Sequence, residues 1–326
     1  MDDGPARVDE TSEGPLEVDP HLAADIDAGS GGSIISSTVS LSESIFEYRK
    51  LHGRTYQTTD RGQYWAPNDD QQNEGLELTH HVLIMALDNK LCPAPVDSPQ
   101  RVLDIGTGTG IWACDFGDQY PSAEVIGTDI SPIQSPWVPI NVKFMIDDCL
   151  QDWTWPESHF DLIHIRCMYG CIPDYDELYK KAFHHLKPGA WVQVQEADVL
   201  IESDHVEIPE DHIFYTWAKL IREAGAKLGT SFEIALGHNM REAIERAGFV
   251  DVVEKRIKVP LHGWPKDPHL QQMGYLAQEA LNQSLDGFGL YLFTDVLGWS
   301  REETVVLTAK MRNEMRKVSN YPYFAT

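Results

Sequence analysis

The sequence predicts an α/β fold, a doubly wound parallel sheet with a helical segment before it and helical insertions after it. Short apolar runs alternate with helical patterns and short loops between residues 101 and 196, as expected for parallel strands joined by helices. The first run leads directly into a turn with glycine at every second position. A chain of 326 residues with 42% hydrophobic residues can also bury a substantial core.

Five strands and two helices account for the predicted core. Short runs rich in β-branched residues mark the strands, which we expect from 101 to the glycine turn and at 123–128, 141–146, 160–165 and 190–196. Helices are expected at 111–120 and 174–186, the second ending at a Lys-Pro-Gly sequence. After residue 198 the alternation stops, and further helices are predicted at 209–228, 239–247, 261–286 and 300–318.

Composition divides the chain into four parts. Residues 1–40 hold nine acidic residues and one basic residue, a composition that buries too little apolar surface to fold, so we expect a disordered acidic tail. Residues 41–98 are expected to form a helical lid segment and 99–200 the ligand-binding core. Residues 201–326 are expected to supply helical insertions that cap an acceptor pocket, with a late core strand at 249–259.

Charge and cysteine content disfavour several classes of function. The net charge of −25 opposes binding to a nucleic-acid backbone or an anionic membrane, and no apolar run approaches the roughly 20 residues of a membrane span. The N-terminus lacks the basic and apolar regions of a secretory signal. The five cysteines form no CxxC pair, which indicates reduced thiols and no metal site. The cysteine content therefore favours a reducing compartment.

The glycine turn has the form D-x-G-x-G-x-G, from Asp104 to Gly110. Glycine admits positive φ and lets a ligand lie against bare main chain, and the following helix N-terminus offers unpaired N–H groups. A dinucleotide-binding loop would have its third glycine at position 111, which is isoleucine, so an NAD-dependent oxidoreductase is disfavoured. The spacing instead suits a nucleoside ligand; a tight turn without any ligand is the alternative.

Acidic residues follow the next two strands. Asp129 ends the second strand 19 positions after Gly110, about where a nucleoside-binding α/β unit places the acid that holds a ribose. Its carboxylate can accept hydrogen bonds from both ribose hydroxyls, although a helix N-cap would also explain it. Asp147, Asp148 and Cys149 follow the third strand. An acid at that place can accept a hydrogen bond from an adenine amino group.

The chain contains GQYWAPNDD from residue 62, RVLDIGTGTGIWACDFGDQY from residue 101, GTDISPIQ from residue 127, and then WTWP, FDLIHIR and HLKPGAWVQVQE. These runs resemble the fungal LaeA-like methyltransferases, a TAM/UMTA-type group of class I enzymes that depend on S-adenosylmethionine (SAM). The resemblance spans about residues 42–320. It implies a Rossmann-like class I methyltransferase fold with SAM as cofactor.

The resemblance implies one of two functions. The first is a SAM-dependent methyltransferase (EC 2.1.1.-) that methylates an oxygen or nitrogen atom of a small secondary metabolite. The second is a regulatory SAM-binding subunit that controls secondary metabolism and development beside a velvet-type protein partner. A cytoplasmic or nuclear location suits both.

The resemblance also implies a set of cofactor-binding residues. They are Asp104, Gly106, Thr107, Gly108, Gly110, Asp129, Ile130, Asp147, Asp148, Cys149, Arg166 and Tyr64. Asp104 is expected to meet the ammonium group of the methionine part, and Tyr64 to fold over the cofactor with the lid. Asp148 is preferred for the adenine because the family pattern places the acid before a small residue. Arg166 is expected to orient an acceptor or to pair with Asp104 or Glu196.

Catalysis is expected to depend mainly on position. A sulfonium methyl group is already electrophilic, so the protein must hold donor and acceptor in contact and desolvate them. A base is needed only for a weakly acidic acceptor or a protonated amine. The candidate bases near the strand ends are Tyr169, Glu196 and His205, whereas His164, inside the fourth strand, is expected to be a buried structural residue.

The last residues depart from the family pattern. Relatives continue into a long final strand, whereas this chain has Pro322 within residues 320–326. Because proline cannot donate to a strand ladder, we expect a short or absent final strand and an open sheet edge.

Overall fold

The computed structural model describes residues 9–11, 48–59 and 62–326. The chain begins there with short strands: β1 (Asp9–Thr11), β2 (Arg49–Leu51), β3 (Arg54–Tyr56), β4 (Thr58–Thr59) and β5 (Gly62–Gln63). β2 pairs with β3 in an antiparallel hairpin, and β4 pairs antiparallel with β5. The acidic tail expected over 1–40 lies outside the described residues except for β1.

The lid segment is only partly helical. Helix α1 (Asp70–Ala86) is present, but residues 48–59 form the short strands and the hairpin turn between β2 and β3. His52 and Gly53 in that turn have φ of 50° and 89°, which a right-handed helix does not allow. The prediction of a helical segment over the whole of 41–98 was therefore wrong at the start of the described part.

The core is a five-stranded parallel sheet. Its strands are β6 (Arg101–Ile105), β7 (Glu124–Asp129), β8 (Val142–Ile146), β9 (Phe160–Arg166) and β10 (Leu186–Gln195). Their order is β10-β9-β6-β7-β8, with every neighbouring pair parallel. The order reverses between β6 and β9, and ligands of such sheets bind beside that switch point at the carboxyl ends of the strands. The predicted doubly wound parallel sheet is confirmed.

Helices cover both faces of this sheet because the central strands are apolar on both sides. Val102 and Leu103 on β6 point to opposite faces and are both fully buried. Helix α2 (Ile111–Gln119) packs on the Val102 face, and α3 (Tyr175–His185) on the Leu103 face. Because the strands are parallel, the polar residues that follow β6, β7 and β9 meet at one edge of the sheet.

Residues 201–326 supply most of a further apolar cluster, which also includes Tyr56, Trp65 and residues of α1. This part begins with a short strand, β11 (Ile201–Glu202). Four helices follow: α4 (Ile213–Leu228), α5 (Asn239–Arg246), α6 (Pro268–Tyr291) and α7 (Arg301–Met315). A π-helical turn at Leu292–Val296 continues α6, and a 3-10 turn at Val318–Asn320 follows α7. Helix α6 starts later than expected because Asp267 caps the N–H groups of His269 and Leu270. None of the helices in the described ranges is long and apolar enough to cross a membrane.

The late core strand predicted at 249–259 was wrong. The chain forms two short strands there instead, β12 (Glu254–Arg256) and β13 (Lys258–Pro260), and neither joins the central sheet. Asp251 has φ of 55° and Val250 is 80% exposed, so the segment turns at the surface before it becomes extended. β12 pairs with β1, and β13 belongs to a separate antiparallel sheet.

The final strand, β14 (Tyr323–Ala325), is short, as expected, and it belongs to a separate three-stranded sheet, so among the described residues no strand pairs with the outer side of β10 in the central sheet. It lies between β11 and β13. The chain beyond β10 also pairs with it, since Asp198 N–H donates to the Ala325 carbonyl at 2.9 Å and the Thr326 hydroxyl to the Glu196 carbonyl at 2.8 Å. Pro322 precedes the strand and therefore interrupts no ladder bond.

Candidate cofactor and acceptor site

The glycine turn after β6 presents bare main chain at one position. Gly108 and Gly110 have φ of 58° and 83°, in the left-handed region. A Cβ atom on Gly110 would lie 2.2 Å from the ring of Phe144, so the protein itself fills that space. A Cβ on Gly108 would meet only Leu76, at 3.8 Å. Gly108 is therefore the point where a ligand can lie against the backbone.

Asp104 supports this turn from inside. It is 2% exposed, one carboxylate oxygen accepts from the Thr107 hydroxyl at 2.5 Å, and the other accepts from His164 Nδ1 at 2.7 Å. Burial lowers the pKa of His164, whose neutral ring stacks on Trp112 with centroids 3.7 Å apart. Asp104 thus faces the core, and the expectation that it meets the ammonium group of a ligand does not fit this arrangement.

Asp129 lies across the glycine turn at the end of β7. One carboxylate oxygen accepts from Gly108 N–H and the other from Ser131 N–H, both at 2.9 Å. Burial raises its pKa to about 6. No helix begins at this point, so the alternative role as a helix N-cap does not apply. The carboxylate and the free backbone of Gly108 border the same crevice.

The residues that follow β7 and β8 line the next part of this edge. Ile130 is half-buried directly after Asp129, and Asp147 N–H donates to the Asp129 carbonyl at 3.0 Å. Asp148 accepts from Leu150 N–H at 2.9 Å. Burial raises the pKa of the Asp147 carboxyl and raises that of the Cys149 thiol to about 12.

Tyr64 and Trp65 bring the lid to the strand ends. Burial raises the pKa of the Tyr64 hydroxyl, and Asp129 and Tyr169 are among the groups that raise it further. The Trp65 ring packs 6.1 Å from Tyr169 and 5.5 Å from Phe288 on α6, measured between centroids. The lid therefore contacts both the cofactor edge and the C-terminal helices.

An ion pair and a helix cap hold this lid in place. Arg54 and Asp69 form a two-pronged ion pair, one arm of which joins Nη2 to Oδ1 at 2.7 Å. The same Asp69 caps α1 by accepting from Gln72 N–H at 3.1 Å. One carboxylate therefore ties the β2–β3 hairpin to the helix that carries the lid.

Two of the three candidate bases lie at the strand ends. Glu196 is 1% exposed, and its two oxygens accept from the N–H groups of Met168 and Tyr169 at 2.9 and 3.1 Å, while burial raises its pKa to about 8. Glu196 therefore holds the loop after β9. Burial raises the pKa of Tyr169 well above its ordinary value. The structure does not bring His205 to this site, because it is exposed and its ring packs against Trp264 and Tyr321.

Arg166, at the end of β9, has a partner that the sequence did not reveal. The expected pairing with Asp104 or Glu196 was wrong: its Nη2 lies 3.0 Å from Nδ1 of His80 on α1. His80 Nε2 lies in turn 2.9 Å from a carboxylate oxygen of Asp115 on α2. The adjacent histidines at 80 and 81 were the available sequence signal, but only the fold shows which one faces the sheet.

An apolar cavity adjoins Tyr169. It has about 100 Å³ of space for the centres of water-sized spheres and lies between the strand ends and helices α1, α4, α6 and α7. Its lining is mainly aromatic and aliphatic and includes Trp65, Tyr169, Trp217, Phe232, Phe288 and Met311. The sequence suggested aromatic residues for an acceptor pocket but could not show which of them converge.

Residues 79–254 match a family profile described as a methyltransferase domain. The chain is 38% identical over 282 residues to methyltransferase pytC of Aspergillus terreus, covering 86% of each chain. It is 34% identical over 279 residues to the secondary metabolism regulator LAE1 of Cochliobolus heterostrophus, covering 83% of this chain and 90% of the relative. The protein-methionine methyltransferase laeA of Emericella nidulans is 32% identical over 273 residues, or 82% of this chain and 72% of the relative.

The chain belongs to the LaeA-like class I methyltransferases. Among solved structures it is similar to a phosphoethanolamine N-methyltransferase of Haemonchus contortus, with 17% identity, a TM-score of 0.40 and coverage of 78% of this chain and 51% of that one. As a LaeA-like methyltransferase it uses SAM as cofactor. The open face of Gly108 and the carboxylate of Asp129 beside it fit a nucleoside.

Proposed function

We propose that this LaeA-like methyltransferase transfers the methyl group of SAM to an oxygen or nitrogen atom of a small, largely apolar secondary metabolite. The observation that carries the proposal is the apolar cavity, which opens beside Tyr169 at the end of β9. Sites for small molecules are lined mainly by hydrophobic and aromatic side chains, as this cavity is. A peptide or nucleotide acceptor would find few polar partners in such a lining.

The proposed cofactor site extends along the strand ends from β7 to β9. Asp129 accepts hydrogen bonds from the ribose hydroxyls, and Gly106, Thr107, Gly108 and Gly110 shape the turn beneath the nucleoside. Ile130 packs on the adenine and Asp148 accepts from its amino group, with Asp147 and Cys149 beside it. Tyr64 covers the cofactor from the lid, where its ring packs beside Trp65, which in turn packs on Tyr169.

When bound, SAM supplies a methyl group that its sulfonium charge has already made electrophilic. The protein must therefore position the acceptor and exclude water. Neither Tyr169, whose pKa is raised, nor Glu196, whose oxygens hold backbone N–H groups, is placed as a free base. An acceptor that needs no side-chain base, such as an acidic phenol or a neutral amine, fits this site.

A variant that fills the cavity tests the proposal. Ala280 on α6 lines the cavity and is 4% exposed, so Ala280→Phe should block the acceptor while leaving the affinity for SAM unchanged. Metabolite profiles of the native host, compared between the wild-type gene, a deletion and this variant, should show one product replaced by its unmethylated precursor. Val306→Phe, at a 54% exposed position on α7, is the matched control. An unchanged profile in the deletion strain would contradict a metabolite acceptor.

A regulatory role through protein partners is a second candidate. Trp137 and Ile140, in the loop between β7 and β8, are 84% and 101% exposed, and Val138 between them is also exposed. Large apolar side chains that project together from a surface are typical of protein contacts. The relatives named as secondary metabolism regulators favour the same role. Co-purification with velvet-type proteins, lost in a Trp137→Ser, Ile140→Ser double variant, would support it.

We place the protein in the cytoplasm or nucleus. The net charge of −25 disfavours a stable association with anionic membranes, and all five cysteines are free in the structure. Fluorescence microscopy of a tagged protein tests this location. A signal confined to the secretory pathway would contradict it.

A further inference from the structure

Arg166 is a half-buried cation without a carboxylate partner in the described part of the chain. Burial lowers its pKa, and its one hydrogen bond within the described ranges goes to His80. No acidic side chain of those ranges forms an ion pair with it, although the chain has 51 acidic and 26 basic residues. Partial removal of a charge from water is costly unless a counter-charge and hydrogen bonds offset the lost hydration. A bound anion at Arg166 would supply both.

His80 and Asp115 fix the orientation of this guanidinium. A guanidinium can only donate, so Nδ1 of His80 must accept from Arg166. Burial lowers the pKa of His80 and keeps it neutral, so its proton is on Nε2, which donates to Asp115. The hydrogen bond to Asp115 therefore keeps the His80 imidazole in one tautomer and one orientation. The Nδ1 atom of His80 in turn orients the guanidinium that donates to it.

Most donors of Arg166 remain available. A guanidinium has five N–H donors, and the structure gives one of them a protein partner. The other guanidinium nitrogens are not among the buried polar atoms that lack a partner, so they are open to solvent. Such a group can bind a carboxylate through two parallel hydrogen bonds.

The strand order places these donors at the far end of the cofactor crevice. β6 lies between β7, which carries Asp129, and β9, which carries Arg166. Ile105 and Ile165 are paired in register, so Gly106 and Arg166 follow at neighbouring strand ends. Adjacent strands are about 4.8 Å apart. A ligand whose ribose lies at Asp129 and which crosses the glycine turn therefore has its other end near Arg166.

We propose that Arg166 binds the methionine carboxylate of SAM and that His80 and Asp115 are positioning residues that orient its guanidinium. The proposal rests on the cofactor site described under Proposed function and adds the group that recognises the amino-acid end. Ribose recognition at Asp129 and carboxylate recognition at Arg166 would then select SAM over nucleosides without the carboxylate.

Binding calorimetry with two ligands tests the proposal without any acceptor. Wild-type protein and Arg166→Gln are titrated with SAM and with decarboxylated SAM, which keeps the sulfonium and the ribose. We expect Arg166→Gln to weaken SAM binding roughly 10- to 100-fold, the loss typical of a hydrogen bond to a charged group. Its affinity for decarboxylated SAM should match that of the wild type. Equal loss for both ligands, or no loss for either, would overturn the proposal.

Variants of the positioning residue give an independent readout. His80→Leu removes the acceptor that orients Arg166 and should weaken SAM selectively, whereas His80→Gln keeps an acceptor oxygen and should restore part of the affinity. His81→Leu, at the exposed neighbouring position, is the matched control. If His80→Leu binds both ligands as the wild type does, His80 has no positioning role.

Two further arms separate this proposal from related ones. Asp129→Ala should lower the affinity for SAM and for decarboxylated SAM by the same factor, because both ligands carry the ribose. If it changes neither affinity, the ribose site is wrong, and this result is independent of the result at Arg166. Arg166 could instead bind a carboxylate of the acceptor. In that case Arg166→Gln would bind SAM as tightly as the wild type does, and the proposal that Arg166 binds the SAM carboxylate would be wrong.

Discussion

His164 Nδ1 donates a hydrogen bond of 2.7 Å to a carboxylate oxygen of Asp104, and both side chains are buried. The other oxygen of Asp104 accepts from the Thr107 hydroxyl. The buried carboxylate of Asp104 on β6 thus accepts hydrogen bonds both from His164 on β9 and from Thr107 in the glycine turn. This arrangement fixes the backbone that Gly108 presents to the cofactor.

Replacing His164 by Phe should destabilise the protein. Phe keeps the stacking on Trp112 but leaves one oxygen of Asp104 without a donor. The free energy of unfolding should fall by roughly 1–3 kcal/mol, as for other buried groups left without a partner. Urea denaturation measures it, and His184→Phe, on an exposed side chain, should change it by less than about 0.5 kcal/mol. Equal stability of the two variants would contradict the structural role of the pair.

Two glycine variants separate backbone strain from loss of the cofactor. Gly108 and Gly189 both have positive φ and room for a Cβ, so alanine should cost roughly 1–2 kcal/mol of stability at either position. Only at Gly108 does the added methyl enter the crevice. Gly108→Ala should therefore lower SAM affinity at least about tenfold, or about 1.4 kcal/mol, while Gly189→Ala leaves it unchanged in calorimetry. A Gly108→Ala variant with normal affinity would remove the turn from the cofactor site.

SAM affinity should depend on the protonation of Asp129. Its pKa is raised to about 6 by burial, and the ionised form accepts hydrogen bonds from ribose better than the protonated form. Affinity should be constant above pH 7 and fall roughly tenfold for each pH unit below 6. Calorimetry between pH 5 and 8 measures this change. Asp129→Asn should bind weakly over the whole range, and a variant with the wild-type pH profile would assign the titration to another group.

Glu196 should make the protein less stable as the pH rises. Its folded pKa of about 8 exceeds the ordinary value of 4.5, so between these values the unfolded chain is ionised while the folded protein keeps the proton. Ionisation thus favours the unfolded state, and the free energy of unfolding should fall from about pH 5 to about pH 8. Urea denaturation of Glu196→Gln should give a flatter profile. Parallel profiles for the two proteins would show that Glu196 is not the titrating group.

The sheet and the glycine turn could be predicted because local sequence dictates them. A strand buried on both faces is a nearly continuous apolar run, as in Val102 and Leu103, and a turn that needs positive φ at alternate positions needs glycine there. The helices after residue 198 could also be located, because their apolar residues recur with helical spacing.

The side-chain partners of the site could not be predicted, because tertiary packing decides them. Arg166 and His80 are 86 positions apart, and Asp104 is buried by His164, 60 positions away. Sequence spacing identified Asp104 as an acid near the ligand but could not show which side of the turn it faces. The hairpin at His52 and Gly53 was missed for a different reason, since the surrounding residues have an amphipathic pattern that resembles a helix.

The packing of α1 against α6 also bears on how the protein reaches its native state. Gln72 on α1 donates to the Ser284 hydroxyl on α6, across 212 positions of sequence. Contacts of such long range carry a large loop-closure entropy and form late in folding. During synthesis the central sheet can assemble while α6 is still being translated, whereas the cavity between these helices cannot. Acceptor recognition should therefore be the last property acquired by the nascent protein.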